Sequence, residues 1–130
     1  MHLKIITHEK IVFDEDVDAV YTKGTDGEFG VLKNHVPFMA SLDIGVTKVV
    51  QNGNEKYFTT MGGIFQIKDN DALILTTTAE SKDEIDIERA KAAFSRAQSR
   101  LAETDAETDA KRAEAALARA MARLKATLSK

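Results

Sequence analysis

The placement of glycine and proline constrains this chain more than any other feature. All seven glycines lie between Gly24 and Gly63, and the one proline, Pro37, lies among them. From Ile85 onward there is neither, and 14 of those 46 residues are alanine. Glycine supplies turns and proline interrupts helices, whereas alanine is the best helix former. The composition therefore divides the chain into a turn-rich segment, residues 1–84, and a helix-favouring segment, residues 85–130, joined at the polar run SKDE. A chain of 130 residues fits one ordinary domain, or a small domain with an appendage.

The first segment reads as short strands. Their sequences are LKIITH at 3–8, KIVFDE at 10–15, DAVYTK at 18–23, GVTKVVQ at 45–51, KYFTTM at 56–61, GIFQIK at 63–68 and ALILTTT at 72–78. Asn52-Gly53-Asn54 and Asp69-Asn70-Asp71 are hairpin turns, because Asn, Asp and Gly tolerate positive φ. Many short strands between turn signals predict a β-sandwich or barrel. The second segment has helical periodicity. Ile87, Ala90, Phe94, Ala97 and Leu101 share one face, and Ala113, Leu117, Ala120, Leu124 and Leu128 share another. The polar ETDAETD at 103–109 separates them, with Asp105, Thr108 or Asp109 able to cap the second helix. This predicts an antiparallel helical hairpin with an alanine-rich, weakly buried seam, able to separate while each helix survives.

Several function classes drop out. Without cysteine there are no disulfides, thiolate zinc sites or cysteine nucleophiles. MHLKIITHEK carries early charges and no long apolar core, so it does not read as a signal peptide, and no run nears the ~18 apolar residues of a membrane span. The net charge of -3 conceals an asymmetry. Residues 1–84 carry 8 Lys/Arg against 14 Asp/Glu, and residues 85–130 carry 10 against 7. Residues 110–130 hold six basic residues and one acid. Aromatics are absent after Phe94, which argues against stacking on nucleic acid, and tryptophan is absent, which argues against membrane insertion. An acidic protein surface is the partner class that remains.

Candidate chemistry is sparse. GTDGEFGVLKNHVP at 24–37 spaces glycines three apart before a histidine. It lacks the Lys-Ser or Lys-Thr of a phosphate loop, and Val31-Leu32 continues as strand rather than opening a helix. Turns or a bulge are the preferred reading. His35 has no partner motif for catalysis, and His2 and His8, placed on the first strand, suggest no ligand cluster. Asp14, Glu15, Asp16 and Asp18 lack calcium-loop spacing and read as a solvated turn. Arg89 and Arg96 are seven apart on the first helix, and Arg119 and Arg123 are four apart on the second. Ordinary surface charge explains such spacing, and so does a phosphate site, because guanidinium offers planar paired donors.

The order of motifs resembles the epsilon-subunit family of bacterial F-type ATP synthase over the whole chain. GTDGEFGVLKNHVP, the stretch from Leu42 to Gly45, Gly62-Gly63, Thr78-Ala79-Glu80, IDIERA at 85–90 and the helical hairpin carry the resemblance. It implies a β-sandwich of about ten strands followed by a C-terminal helix–turn–helix. It implies a non-catalytic subunit of the rotating central stalk, with no cofactor. The sandwich would bind the gamma subunit and the c ring, with Glu28 and His35 as contacts, and would help couple proton flow to ATP synthesis in the alpha–beta hexamer. The hairpin would permit turnover when docked and inhibit ATP hydrolysis when extended, with Arg112, Arg119, Arg123 and Lys125 meeting an acidic segment of the beta subunit. The chain would sit on the cytoplasmic face of the membrane only through the complex. Some members bind ATP on the docked hairpin. Their motif corresponds to Ile85, Asp86, Arg89 and Ala90, the further arginines to Arg96, Arg119 and Arg123, and Glu80 belongs beside them. Two other classes stay open on the residues alone: a free-standing nucleotide sensor, and a small enzyme using His35.

Overall fold

The structure is a computed structural model that describes residues 1–103 and 107–128, with Glu107 and Thr108 described in backbone only. Among these residues there are eight strands: β1 (His2–Ile6), β2 (Ile11–Asp16), β3 (Ala19–Gly24), β4 (Gly27–Leu32), β5 (Phe38–Gln51), β6 (Asn54–Lys68), β7 (Asp71–Leu75) and β8 (Ala79–Ser81). A single 3₁₀ turn, Lys82–Glu84, leads to α1 (Ile87–Glu103) and α2 (Glu107–Leu128). The strands form one hydrogen-bonded sheet in the order β2-β1-β7-β6-β5-β3-β4, with β8 added on β6.

β5 and β6 run 14 and 15 residues, far beyond the usual 5–6. Their two halves have different neighbours. Ile64–Lys68 of β6 pairs with β7, Phe58–Thr60 pairs with β8, and Lys48–Val50 of β5 pairs with β3. The sheet folds over on these two strands. One layer is β2-β1-β7-β6-β5 and the other is β8-β6-β5-β3-β4. Leu3, Ile5, Val20, Val31, Val49, Phe65, Ile67 and Ile74 fill the space between them and are fully buried. Phe13 meets Phe58 edge-on at 5.5 Å and Phe29 meets Phe65 at 5.4 Å, the geometry favoured by aromatic pairs. A chain of hydroxyls also crosses this core. Thr22 lies 2.8 Å from Thr47, and Thr47 lies 3.0 Å from Thr60, so none of the three is buried without a partner.

The fold class expected from the sequence, a sandwich followed by a helical hairpin, is borne out, but the strand number is eight rather than about ten. KYFTTM and GIFQIK are parts of one strand, and GVTKVVQ extends back to Phe38. The apparent break at Gly62-Gly63 is a kink inside β6, where φ reaches 78° and 121°. The register with β5 is the same on both sides of it. A side chain at Gly63 would bring its Cβ to 1.9 Å from the Leu75 carbonyl oxygen, so the kink requires glycine. Both expected hairpin turns form, with positive φ at Asn52, Gly53, Asp69 and Asn70.

In the hairpin, Ala90 and Ala97 of α1 and Ala113 and Ala120 of α2 are buried. The stripe ends differ from expectation: Ile87 is exposed, and Leu128 is 83% exposed beyond the last packed turn. α2 has a second buried face, Ala122 and Ala126, because it packs both on α1 and on the outer surface of β5 and β6. Ile85, Ala90, Ala126, Leu124 and Val46 form the small apolar cluster at that junction. Thr108 and Asp109 lie inside α2 rather than capping it, and Asp105 lies outside the described residues.

Candidate functional site

α1 begins at a well-formed N-cap. Asp86 accepts the Arg89 amide on Oδ1 at 3.1 Å, and its carbonyl accepts the Ala90 amide at 3.0 Å. The cap fixes the first turn of α1 directly after the 3₁₀ turn, beside the end of β8. α2 returns antiparallel and brings Arg123 over the same place.

The result is a cleft of about 420 Å³ between hairpin and sandwich, lined by Glu80 of β8, Glu84 of the 3₁₀ turn, Asp86 at the N-cap of α1, Arg89 and Arg96 of α1, and Arg123 of α2. Ala90 and Ala93 form its apolar wall. Arg123 donates from Nε to Oε1 of Glu80 at 2.7 Å, a half-buried pair joining residues 43 apart in sequence. Ser81 donates to Glu84 at 3.0 Å. Arg89 and Arg96, seven apart and two turns along α1, line the same space. Three acids and three arginines make the cleft balanced in charge. It offers planar donors for phosphate oxygens and carboxylates for amine or hydroxyl donors.

Of the expected nucleotide-site residues, the structure brings Glu80, Asp86, Arg89, Ala90, Arg96 and Arg123 to this cleft. Ile85 is buried beneath it in the apolar junction. Arg119, one turn before Arg123, is not among the lining residues. Asp86 already serves as a helix cap. Glu84 was not foreseen, because its neighbours in the cleft come from other elements.

The expected contact residues fall elsewhere. Glu28 lies on β4, 3.7 Å from the ammonium of Lys125 on α2, so it faces the docked hairpin. His35 is in the β4–β5 loop, where Nδ1 donates to the Val36 carbonyl at 2.7 Å and the ring lies 5.8 Å from Phe38. Arg112 lies near the far end of the hairpin beside Arg100, Glu103 and Asp109. The glycines of GTDGEFG close the β3–β4 hairpin, and Gly30 leaves room for the Tyr21 ring, which a Cβ there would meet at 2.5 Å. His8 lies in the turn after β1 rather than on it. Asp14 and Asp16 belong to β2 instead of a turn, and there they flank His2. Nδ1 of His2 is 2.7 Å from Asp16, and Nε2 bonds Asp14. The two carboxylates raise the His2 pKa above the ordinary imidazole value, chiefly by accepting its protons.

A second surface was missed in the sequence. Ile11, Ile6, Leu75 and Ile64 stand in register on β2, β1, β7 and β6, on the face away from the hairpin. Ile11, Leu75 and Ile64 are exposed. At ~4.8 Å per strand the row spans about 15 Å. Strand alternation signals each residue alone, but only the pairing register joins them.

Comparison with known proteins places these features in a family. A model of the ATP synthase delta/epsilon chain beta-sandwich domain matches residues 1–82, and the long alpha-helix domain of the same chains matches residues 83–127. The chain belongs to the ATP synthase delta/epsilon chain family. The ATP synthase epsilon chain of Desulforamulus reducens is 44% identical over 99 residues, covering 76% of this chain and 75% of that one. The epsilon chain of Nitratidesulfovibrio vulgaris is 42% identical over 102 residues, covering 78% and 76%. Among solved structures, a chain of the Euglena gracilis mitochondrial ATP synthase superposes with a TM-score of 0.85 at 25% identity, over 98% of this chain and 80% of its own. A chain from the Tetrahymena thermophila mitochondrial enzyme shares the fold, with a TM-score of 0.68 at 16% identity over 98% and 96%. Among the described residues of this family member, no helix is long and apolar enough to cross a membrane.

Proposed function

We propose that this chain is a non-catalytic subunit of the central stalk of a proton-translocating F-type ATP synthase, peripheral to the cytoplasmic face of the membrane. Its sandwich binds the gamma subunit and rests on the c ring, linking proton flow to rotation and to ATP synthesis by the alpha–beta hexamer. The family membership supports this, and the apolar row of Ile11, Ile6, Leu75 and Ile64 is a suitable docking surface. Glu28 and His35 are candidate contacts, and Glu28 gives up its pairing with Lys125 when the hairpin leaves.

The hairpin is the regulatory element. It inhibits ATP hydrolysis when extended, through Arg112, Arg119, Arg123 and Lys125 against acidic residues of the beta subunit. ATP is a regulatory ligand of the docked form. The observation that carries this reading is the cleft, whose arginines come from both helices and face an acid of the sandwich, a set assembled only while the hairpin is docked. A ligand there favours docking by mass action, by about 2.7 kcal/mol at 100 times its Kd.

Two experiments test the two halves. Deleting residues 85–130 is expected to leave gamma binding intact and to remove inhibition, and loss of gamma binding would refute the division of labour. Calorimetry with ATP on the full chain is expected to give heat that Arg89→Ala and Arg123→Ala abolish. No heat at millimolar ATP would dispose of the nucleotide site.

A further inference from the structure

α2 sits on the outer face of the layer β8-β6-β5-β3-β4, and the seat itself is poor in apolar area. Ala122 and Ala126 are the buried residues of its last turns. At 100° per residue, Arg123 and Lys125 project about 80° to either side of the line through those alanines. Each reaches an acid on an outermost strand of the layer. Arg123 bonds Glu80 on β8 at 2.7 Å, and Lys125 lies 3.7 Å from Glu28 on β4. Both bases belong to the helix and both acids to the sandwich, so the two pairs straddle the whole width of the sheet.

We propose that Glu80–Arg123 and Glu28–Lys125 form a two-armed ionic clamp that holds the hairpin on the sandwich without any ligand. The arms are unequal. Glu80 and Arg123 are each 30% exposed and tightly bonded, whereas Glu28 and Lys125 are 72% and 69% exposed. Partial burial shields the first arm from salt, and the second is screened like other surface pairs. The clamp also sets the chemistry of release. A surface bearing carboxylates takes over Arg123 and Lys125 by exchanging its acids for Glu80 and Glu28, without stranding either base.

The test uses the full chain without nucleotide, so its outcome is separate from whether the cleft binds ATP. The chain has no cysteine, so Asp43→Cys on β5 and Met121→Cys on α2 provide two clean labelling sites for a spin-label distance measurement: both residues are exposed, and Met121 faces Ile44 and Lys23, the neighbours of Asp43. The expected parent result at 50 mM salt is one predominant short distance. Arg123→Glu and Glu80→Arg, each alone, should convert most of it to long distances. The double exchange Glu80→Arg with Arg123→Glu should restore at least half of the short population. Lys125→Glu should shift a smaller fraction, and its effect should vanish near 1 M salt. An unchanged distance in Arg123→Glu overturns the clamp. So does a double exchange that stays as open as the single variants while circular dichroism shows intact helices.

Discussion

The sandwich and the hairpin bury different things, and this decides how each behaves. The sandwich encloses large side chains, with Phe65, Leu3, Ile5, Ile67 and Ile74 all fully out of solvent. Among the described residues, the buried positions of the two helices are alanines: Ala90, Ala97, Ala113, Ala120, Ala122 and Ala126. A buried Phe or Leu contributes ~1.5–3 kcal/mol and an alanine only a fraction of that. Alanine keeps each helix sound and lets the helices approach closely, but binds them weakly. The sandwich is thus held by large buried side chains and the hairpin by small ones.

The largest expected effect lies in the sandwich. Phe65→Ala should cost about 3–5 kcal/mol of global stability in denaturant titration, because it opens a cavity where Phe29 and Phe38 meet. Next, Ala120→Leu should overpack the α1–α2 seam by about 1–3 kcal/mol. Its readout is faster amide exchange in the helices with the strands unchanged. If it lowered the sandwich midpoint as far as Phe65→Ala, the two regions would be one cooperative unit and the contrast would fail. Thr47→Val should cost the sandwich about 1–3 kcal/mol, since it leaves the hydroxyls of Thr22 and Thr60 without their buried partner. Full retention of stability would mean that the hydroxyl chain adds nothing beyond packing.

The smallest effect is pH-dependent. His2 has a raised pKa in the folded state, so its protonated form stabilises the β1–β2 pairing. That contribution is fully present below the unfolded value near 6.5 and is lost as pH rises through the folded value. His2→Ala should flatten the thermal midpoint against pH in that window and leave the hairpin untouched. A parent protein with no slope there would contradict the role of Asp14 and Asp16.

Local chemistry was legible in the sequence, and long-range pairing was not. Asn52-Gly53 and Asp69-Asn70 announce their turns because the requirement for positive φ is met by the residues themselves. Gly62-Gly63 misleads for the same reason. Glycines that kink a continuing strand look like glycines that end one, and only the unbroken register with β5 separates the two cases. Alanine hides the second face of α2, since Ala122 and Ala126 lie in a run where nearly every face carries alanine. In the cleft, the spacing of Arg89 and Arg96 could be read along α1. The Glu80–Arg123 bond, 43 residues apart, depends on where the hairpin lands.

β5 and β6 belong to both layers of the sandwich. In a sandwich of separate sheets, a sideways load on one face reaches the other through side-chain contacts that can slip. Here the covalent backbone of two strands runs from one layer into the other, tied along its length by the ladder from Phe38↔Ile67 to Gln51↔Asn54. Shear between the layers must stretch main chain or break many of these hydrogen bonds together. The body that carries the hairpin is therefore mechanically stiff in the direction in which a sandwich is ordinarily weakest.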